Sequence, residues 1–124
     1  MSTLKADTIV AIDGTSPVTL TKQSAAKAWA CFVQSTSHTL NDSFNISSLT
    51  DSGAGWSATA YTNSFNNDDY SSTGMAGKSG TRVRMDTLGA SAKLSTGQQL
   101  YVTSPVPVAT DGDDCNVTCH GDLA

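Results

Sequence analysis

Apolar residues in this chain come in short runs, and the longest unbroken one, Ala28 to Val33, has six residues. Turn signals separate the runs: Asp13-Gly14, the stretch Asp51 to Gly55, Asn66 to Asp69, and Asp111 to Asp114. Glycine accepts positive φ, and Asp or Asn bonds its own backbone, so each cluster ends an element. Between the turns, apolar and polar positions alternate, which is the period of a strand with one buried face. Composition points the same way. All 11 acidic residues are Asp, none is Glu, and Ser and Thr make up 34 of the 124 residues, so the chain is short of residues that support long helices. Seven to nine short strands at turn spacings of about 8–12 residues predict an all-β fold, an antiparallel β-sandwich or jelly-roll-like single domain over 1–124.

Thr8 to Ile12 and Pro17 to Thr21 read as two short strands with few large side chains, forming an N-terminal arm or hairpin over 1–21 that finds its burial at a subunit interface. Ser24 to Lys27 reads as a short turn of helix or loop, followed by a strand at 27–34 buried on both faces. Phe44 and Ile46 are expected to point inward together, as is Tyr61, with Trp56, Ala58 and Ala60 on the opposite face. Gly74 to Gly80 reads as a mobile loop or bulged connection. Strands are expected at 82–85, 91–94 and 99–103, with Pro105-Val106-Pro107 at a sheet edge. In the last strand Cys115, Val117 and Cys119 face inward. Trp29, Phe32, Phe44, Tyr61, Phe65 and Tyr70 are the expected aromatic core.

The net charge of −4 offers no basic excess to displace counterions, so nucleic acid is not an expected partner. No stretch approaches the 18 apolar residues of a membrane span. The opening Met1 to Asp7 lacks the apolar run of a secretory signal, which predicts a protein kept in a reducing cytoplasm or released by another route. Three cysteines cannot close a disulfide framework, and Cys115 and Cys119 on one strand lie about 13 Å apart, too far to bridge. The patterns Asn45-Ile46-Ser47 and Asn116-Val117-Thr118 match glycosylation acceptors but carry little without an export signal.

His38 and His120 are the only histidines and are expected at the surface. There is no Gly-x-Ser-x-Gly elbow, and without Glu no His-Glu-x-x-His, so no catalytic residue is assigned and no enzyme is expected. Cys115, Cys119 and His120 have zinc-binding atoms, but strand spacing separates the sulfurs and a fourth ligand is lacking. The two Asp turns offer oxygens that calcium accepts, without EF-hand spacing. No metal or cofactor is assigned. Arg82 and Arg84 share one expected strand face and form, with Lys78, the basic cluster of the chain. Trp56, at the end of a Gly-rich turn and opposite Tyr61 in the alternation, is the best contact candidate. The tentative binding residues are therefore Trp56, Arg82 and Arg84.

The order of several motifs resembles a family. Lys27-Ala28-Trp29, then Asp42-Ser43-Phe44-Asn45-Ile46-Ser47-Ser48-Leu49-Thr50-Asp51-Ser52-Gly53-Ala54-Gly55, then Asn66 to Tyr70, is similar to the β-rich domain of tail-fibre and other virion structural proteins of bacteriophages, many from marine hosts. Leu4 to Ile9 with Asp13-Gly14-Thr15 also resembles the opening strand of such proteins. The likeness covers about residues 4–70; Asp114 to Gly121 matches more loosely, and residues 74–110 match nothing assignable. The resemblance implies a homotrimeric, non-enzymatic component of the virion surface, assembled in the host cytoplasm. It transfers no catalytic residue. A single domain without a coiled-coil stalk favours a capsid decoration (cement) protein or head fibre, whose partners are copies of itself and the major capsid protein or other virion proteins. The alternative is a tail-fibre or baseplate tip that binds a receptor on the host surface.

Overall fold

The computed structural model describes residues 25–35, 37–87, 92–106 and 108–124. The predicted arm at 1–21 lies outside the described residues. Nine strands follow in order: β1 Ala28–Val33, β2 Thr39–Phe44, β3 Ile46–Gly53, β4 Trp56–Tyr61, β5 Ser71–Gly77, β6 Arg84–Asp86, β7 Lys93–Leu94, β8 Gly97–Thr103 and β9 Asp114–His120. No helix occurs among the described residues. The strands form two antiparallel sheets packed face to face, a β-sandwich as predicted: one of four strands ordered β2-β1-β9-β5, and one of five ordered β3-β4-β8-β6 with β7 also on β8.

Residues 25–27 are irregular, with a bend at Lys27 whose N–H donates to Cys119 O at 2.8 Å, so the loop alternative and not a helical turn precedes β1 there. β1 then pairs with β2 on one side and β9 on the other. It is not buried on both faces as its apolar run predicts. Ala28, Ala30 and Phe32 are sealed inside, while Trp29, Cys31 and Val33 are only half-buried on the outer face. The reason is architectural: a sandwich of two sheets covers one face of each, and an apolar strand cannot change that.

The main departure from the sequence reading lies at Asn45. Phe44 and Ile46 do not continue one strand. Asn45 adopts a left-handed φ of 58°, which ends β2 in the four-stranded sheet and starts β3 in the five-stranded one. The two-residue alternation is broken at that point. Ile46 packs against the core, whereas Phe44 pairs with Trp29 on the outer face and is 53% exposed.

Gly74 to Gly80 also differs from expectation, since its first half belongs to β5, paired with β9 along its length. Glycine at 74 is explained by close approach: a Cβ there would come 2.4 Å from Met85 Sδ, where β6 of the other sheet reaches β5. Pro105 and its neighbours follow β8 in a loop, but β8 itself is internal to its sheet and not at an edge.

Cys115, Val117 and Cys119 face inward as predicted and meet Phe32, Leu100 and Val102 in the core. One end is filled by rings: Tyr61 meets Phe65 edge-on at 5.0 Å, and Phe65 stacks on Tyr70 at 4.3 Å. Full burial of each large apolar side chain is worth about 1.5–3 kcal/mol, so Phe32, Phe65 and Leu100 anchor the two sheets to each other.

Candidate functional site

Alternation along β4 puts Ser57, Thr59 and Tyr61 inside and Trp56, Ala58 and Ala60 outside. On that outer face Trp56 is the cross-strand partner of Tyr101, and Tyr101 is the partner of Asp86. The Trp56 and Tyr101 rings meet edge-on with centroids 5.0 Å apart, so Trp56 is half-buried and not a free-standing aromatic. Arg84, two residues before Asp86 on β6, shares this face. Its Nε donates to Asp86 Oδ2 at 2.8 Å and to Thr103 Oγ1 at 3.1 Å.

The structure thus brings two of the three predicted contact residues, Trp56 and Arg84, to one surface. Arg82 lies before β6 and is exposed, so it does not share a strand face with Arg84. The predicted basic cluster is also reduced by Lys78, whose Nζ donates to Asp111 O at 2.7 Å and stands 3.9 Å from Asp113.

The other outer face carries residues that sequence reasoning placed elsewhere. Register aligns Phe44, Trp29, Thr118 and Thr73 across the four strands, and aligns Asp42, Cys31, Asn116 and Met75 in a second row. Phe44 is 53% and Met75 74% exposed. Met75 could have been found from the alternation of β5, but the glycines around it read as a loop. Trp29 and Phe44, assigned to the core, are outward because β1 is covered on one face only and β2 ends at Asn45.

Between the sheets lies a polar cluster of Gln34, Ser57 and His38, with the exposed Asp51 at its outer end. Gln34 Nε2 donates to Ser57 Oγ at 2.8 Å, and the Gln34 carbonyl accepts from Gly112 N–H at 2.9 Å. Ser57 Oγ lies 3.3 Å from His38 Nδ1, and that same nitrogen stands 3.7 Å from Asp51 Oδ1. His38 is therefore not a surface histidine; its side chain is 2% exposed. A nucleophilic triad places the serine and the acid on opposite ring nitrogens, whereas both meet Nδ1 here, and Ser57 itself is buried. The cluster ties the segment between β1 and β2 to β3, β4 and the turn at Gly112. Burying Gln34, Ser57 and His38 is affordable only because each is hydrogen-bonded.

The Asp turns are occupied in the same way. Asp111 Oδ1 accepts from Gly55 N–H at 2.6 Å, Asp113 Oδ2 from Ser79 N–H at 2.9 Å, and Asn67 Oδ1 from Asp69 N–H at 2.9 Å. These carboxylates and amides close turns and join loops, as Asx residues commonly do. Among the described residues no group of three or more His, Cys or acidic side chains is placed to hold a metal ion.

All three cysteines are free. Burial, with the nearby Asp114, Asp113 and Asp111 carboxylates adding to it, pushes the Cys115 thiol up to about 12. Burial likewise raises Tyr61 and Tyr70, and at Tyr61 the contact with Cys119 adds to the effect. These shifts mark groups kept neutral in an apolar interior, the opposite of an activated nucleophile. No helix among the described residues is long and apolar enough to cross a membrane.

Comparison with protein-family models, curated proteins and solved structures finds no match to this chain.

Proposed function

We propose that this chain is a non-enzymatic structural protein of a bacteriophage virion, exposed on the particle surface as a capsid decoration (cement) or head-fibre protein and acting by binding. It assembles as a homotrimer and contacts the major capsid protein or other virion proteins. One observation supports binding as the mode of action. Two large apolar side chains, Phe44 and Met75, stand uncovered on the outer face of the four-stranded sheet. By contrast, the side chains capable of chemistry, Ser57, His38, Cys115 and Cys119, are enclosed in hydrogen-bonded interior positions. Phe44 lies beside the half-buried Trp29, and apolar side chains left in water gain when a partner covers them. The virion assignment itself rests on the resemblance of residues 4–70.

The test is a copy count on purified virions by quantitative mass spectrometry, joined to binding of the purified protein to undecorated shells. Hundreds of copies per particle and saturable shell binding are expected. A few copies, with no shell binding, would move the assignment to a tail-fibre or baseplate tip. Absence from the particle would refute it.

A further inference from the structure

We propose that copies of this chain meet through the outer face of the five-stranded sheet, with Leu94 of one copy seated over Ala58 and Ala60 of the next. This deepens the self-assembly part of the proposed function and rests on it.

Three features of the face carry the inference. The first is shape. A shallow groove of about 190 Å³ is lined by Ala58, Ala60, Ala92, Leu94, Gly97 and Gln99. Its floor is of small side chains, and Leu94 is 56% exposed at its rim. The groove can take a branched aliphatic side chain, and the same face supplies one.

The second is topology. β4, with Ala58 and Ala60, and β7, with Leu94, flank β8 on opposite sides. When β8 lies nearest a rotation axis, the β7 side of one copy faces the β4 side of the next. That is a heterologous contact which closes into a ring, as a trimer requires. Trp56 and Tyr101 form the next outward pair along β4 and β8, two residues from Ala58 and Gln99, and extend the apolar contact.

The third is charge. Like copies of a chain of net charge −4 repel unless they meet where charge is balanced. β4 and β8 hold no charged residue, Asp51 of β3 and Lys93 of β7 stand at positions paired with the inward Ser57 and Gln98, and the charges that β6 brings to this face, Arg84 and Asp86, neutralise each other at 2.8 Å. The four strands of the other sheet hold Asp42 and Asp114 and neither Lys nor Arg, so two such faces would oppose like charges.

The experiment measures the mass of the full chain in solution by light scattering and sedimentation. Wild type is expected at three chain masses. Leu94→Asp, and independently Ala58→Arg, are expected to weaken assembly at least tenfold while leaving the melting of the domain intact. Phe44→Asp, on the opposite face, is expected to leave assembly unchanged. In a Cys31→Ser background, separately labelled Leu94→Cys and Ala58→Cys chains, mixed and mildly oxidised, are expected to cross-link to each other. Retention of full assembly by Leu94→Asp, or loss of it in Phe44→Asp, would overturn the inference, as would a monomeric wild type. The copy count and shell binding read the virion assignment separately, so failure here and failure there are distinct results.

Discussion

Asn45 and Asn63 hold each other through a reciprocal pair: Asn63 N–H donates to Asn45 Oδ1 at 2.7 Å, and Asn45 Nδ2 donates back to Asn63 O at 2.9 Å. The same Nδ2 also reaches Lys27 O at 3.0 Å. Three segments from both sheets are pinned by one amide, at the residue where the chain leaves one sheet for the other. Asparagine suits the site twice, since it tolerates a left-handed backbone and its amide both donates and accepts. Its amide nitrogen is committed to these bonds, so the Asn45-Ile46-Ser47 pattern serves the fold.

Asn45→Ala therefore loses the amide bonds, worth about 1 kcal/mol each, and retains a left-handed residue that costs alanine about 1–2 kcal/mol. A loss of about 4–5 kcal/mol in urea unfolding is expected. Asn45→Gly removes the backbone penalty but not the lost bonds, and should be more stable than Asn45→Ala by about 1–2 kcal/mol while staying well below wild type. Equal stability of all three proteins would show that Asn45 does not hold the sheet switch.

Phe44 and Phe32 separate the outer face from the core. Phe32 is fully buried, and Phe32→Ala should cost about 3–5 kcal/mol. Phe44→Ala, at an exposed position, should stay within about 1 kcal/mol of wild type. Paired denaturation curves decide this. A severe loss at Phe44 would mean that β2 faces the other way, because a one-residue slip inverts every side chain along a strand.

Strand class and period were legible because alternation is a local property. Ser57, Thr59 and Tyr61 inside, and Cys115, Val117 and Cys119 inside, follow directly from it. What the sequence did not disclose depended on partners distant along the chain. Nothing local says that Asn45 switches sheets, and continuing the period across it turned Phe44 inward. Gly74 reads as flexibility until Met85 is known to lie against it. On the outer face of the five-stranded sheet, the position of Trp56 is legible from strand alternation. Tyr101, its ring partner, needed the register between strands, and Met75, on the opposite face, was hidden by glycines that read as a loop.

Thiol chemistry should follow burial. In the native protein a thiol reagent should label Cys31, which is half-buried on an outer face, and spare Cys115 and Cys119, which are buried; all three should react in urea. The pH dependence has a definite sign. Cys115 is raised from 9.0 to about 12 on folding, so between those values the unfolded chain loses this proton while the folded chain keeps it. Stability is then full below about pH 9 and falls as pH rises toward 12, by at most about 1.4 kcal/mol per pH unit from this group. Tyr61 and Tyr70, also raised, add to the alkaline loss above 10.0. Melting temperature measured from pH 7 to 11 should be flat and then decline. A rise above pH 9 would contradict neutral burial of these groups.

Two glycines test how closely the strands approach. A Cβ at Gly97 would stand 2.2 Å from Thr59 O, a backbone atom of the neighbouring strand β4 that cannot move without displacing the ladder. At Gly74 the nearest obstacle is Met85 Sδ, part of a flexible side chain that can take another rotamer, and the nearest backbone atom, Asn116 O, stands off at 3.2 Å. Both substitutions add the same methyl to a strand, and alanine is the better residue by intrinsic propensity, so propensity alone predicts that each is neutral or stabilising. Steric contact predicts otherwise. Gly97→Ala should cost about 3 kcal/mol or more, at the upper end of the usual overpacking penalty, and should disturb the Thr59–Gln98 pairing. Gly74→Ala should cost about 1 kcal/mol or less. Chemical denaturation gives the two values, and amide exchange at Ala60 and Gln98 reports the local ladder. If Gly97→Ala proved as stable as wild type, β4 and β8 would have to lie further apart at this point than their register and Thr59 O place them.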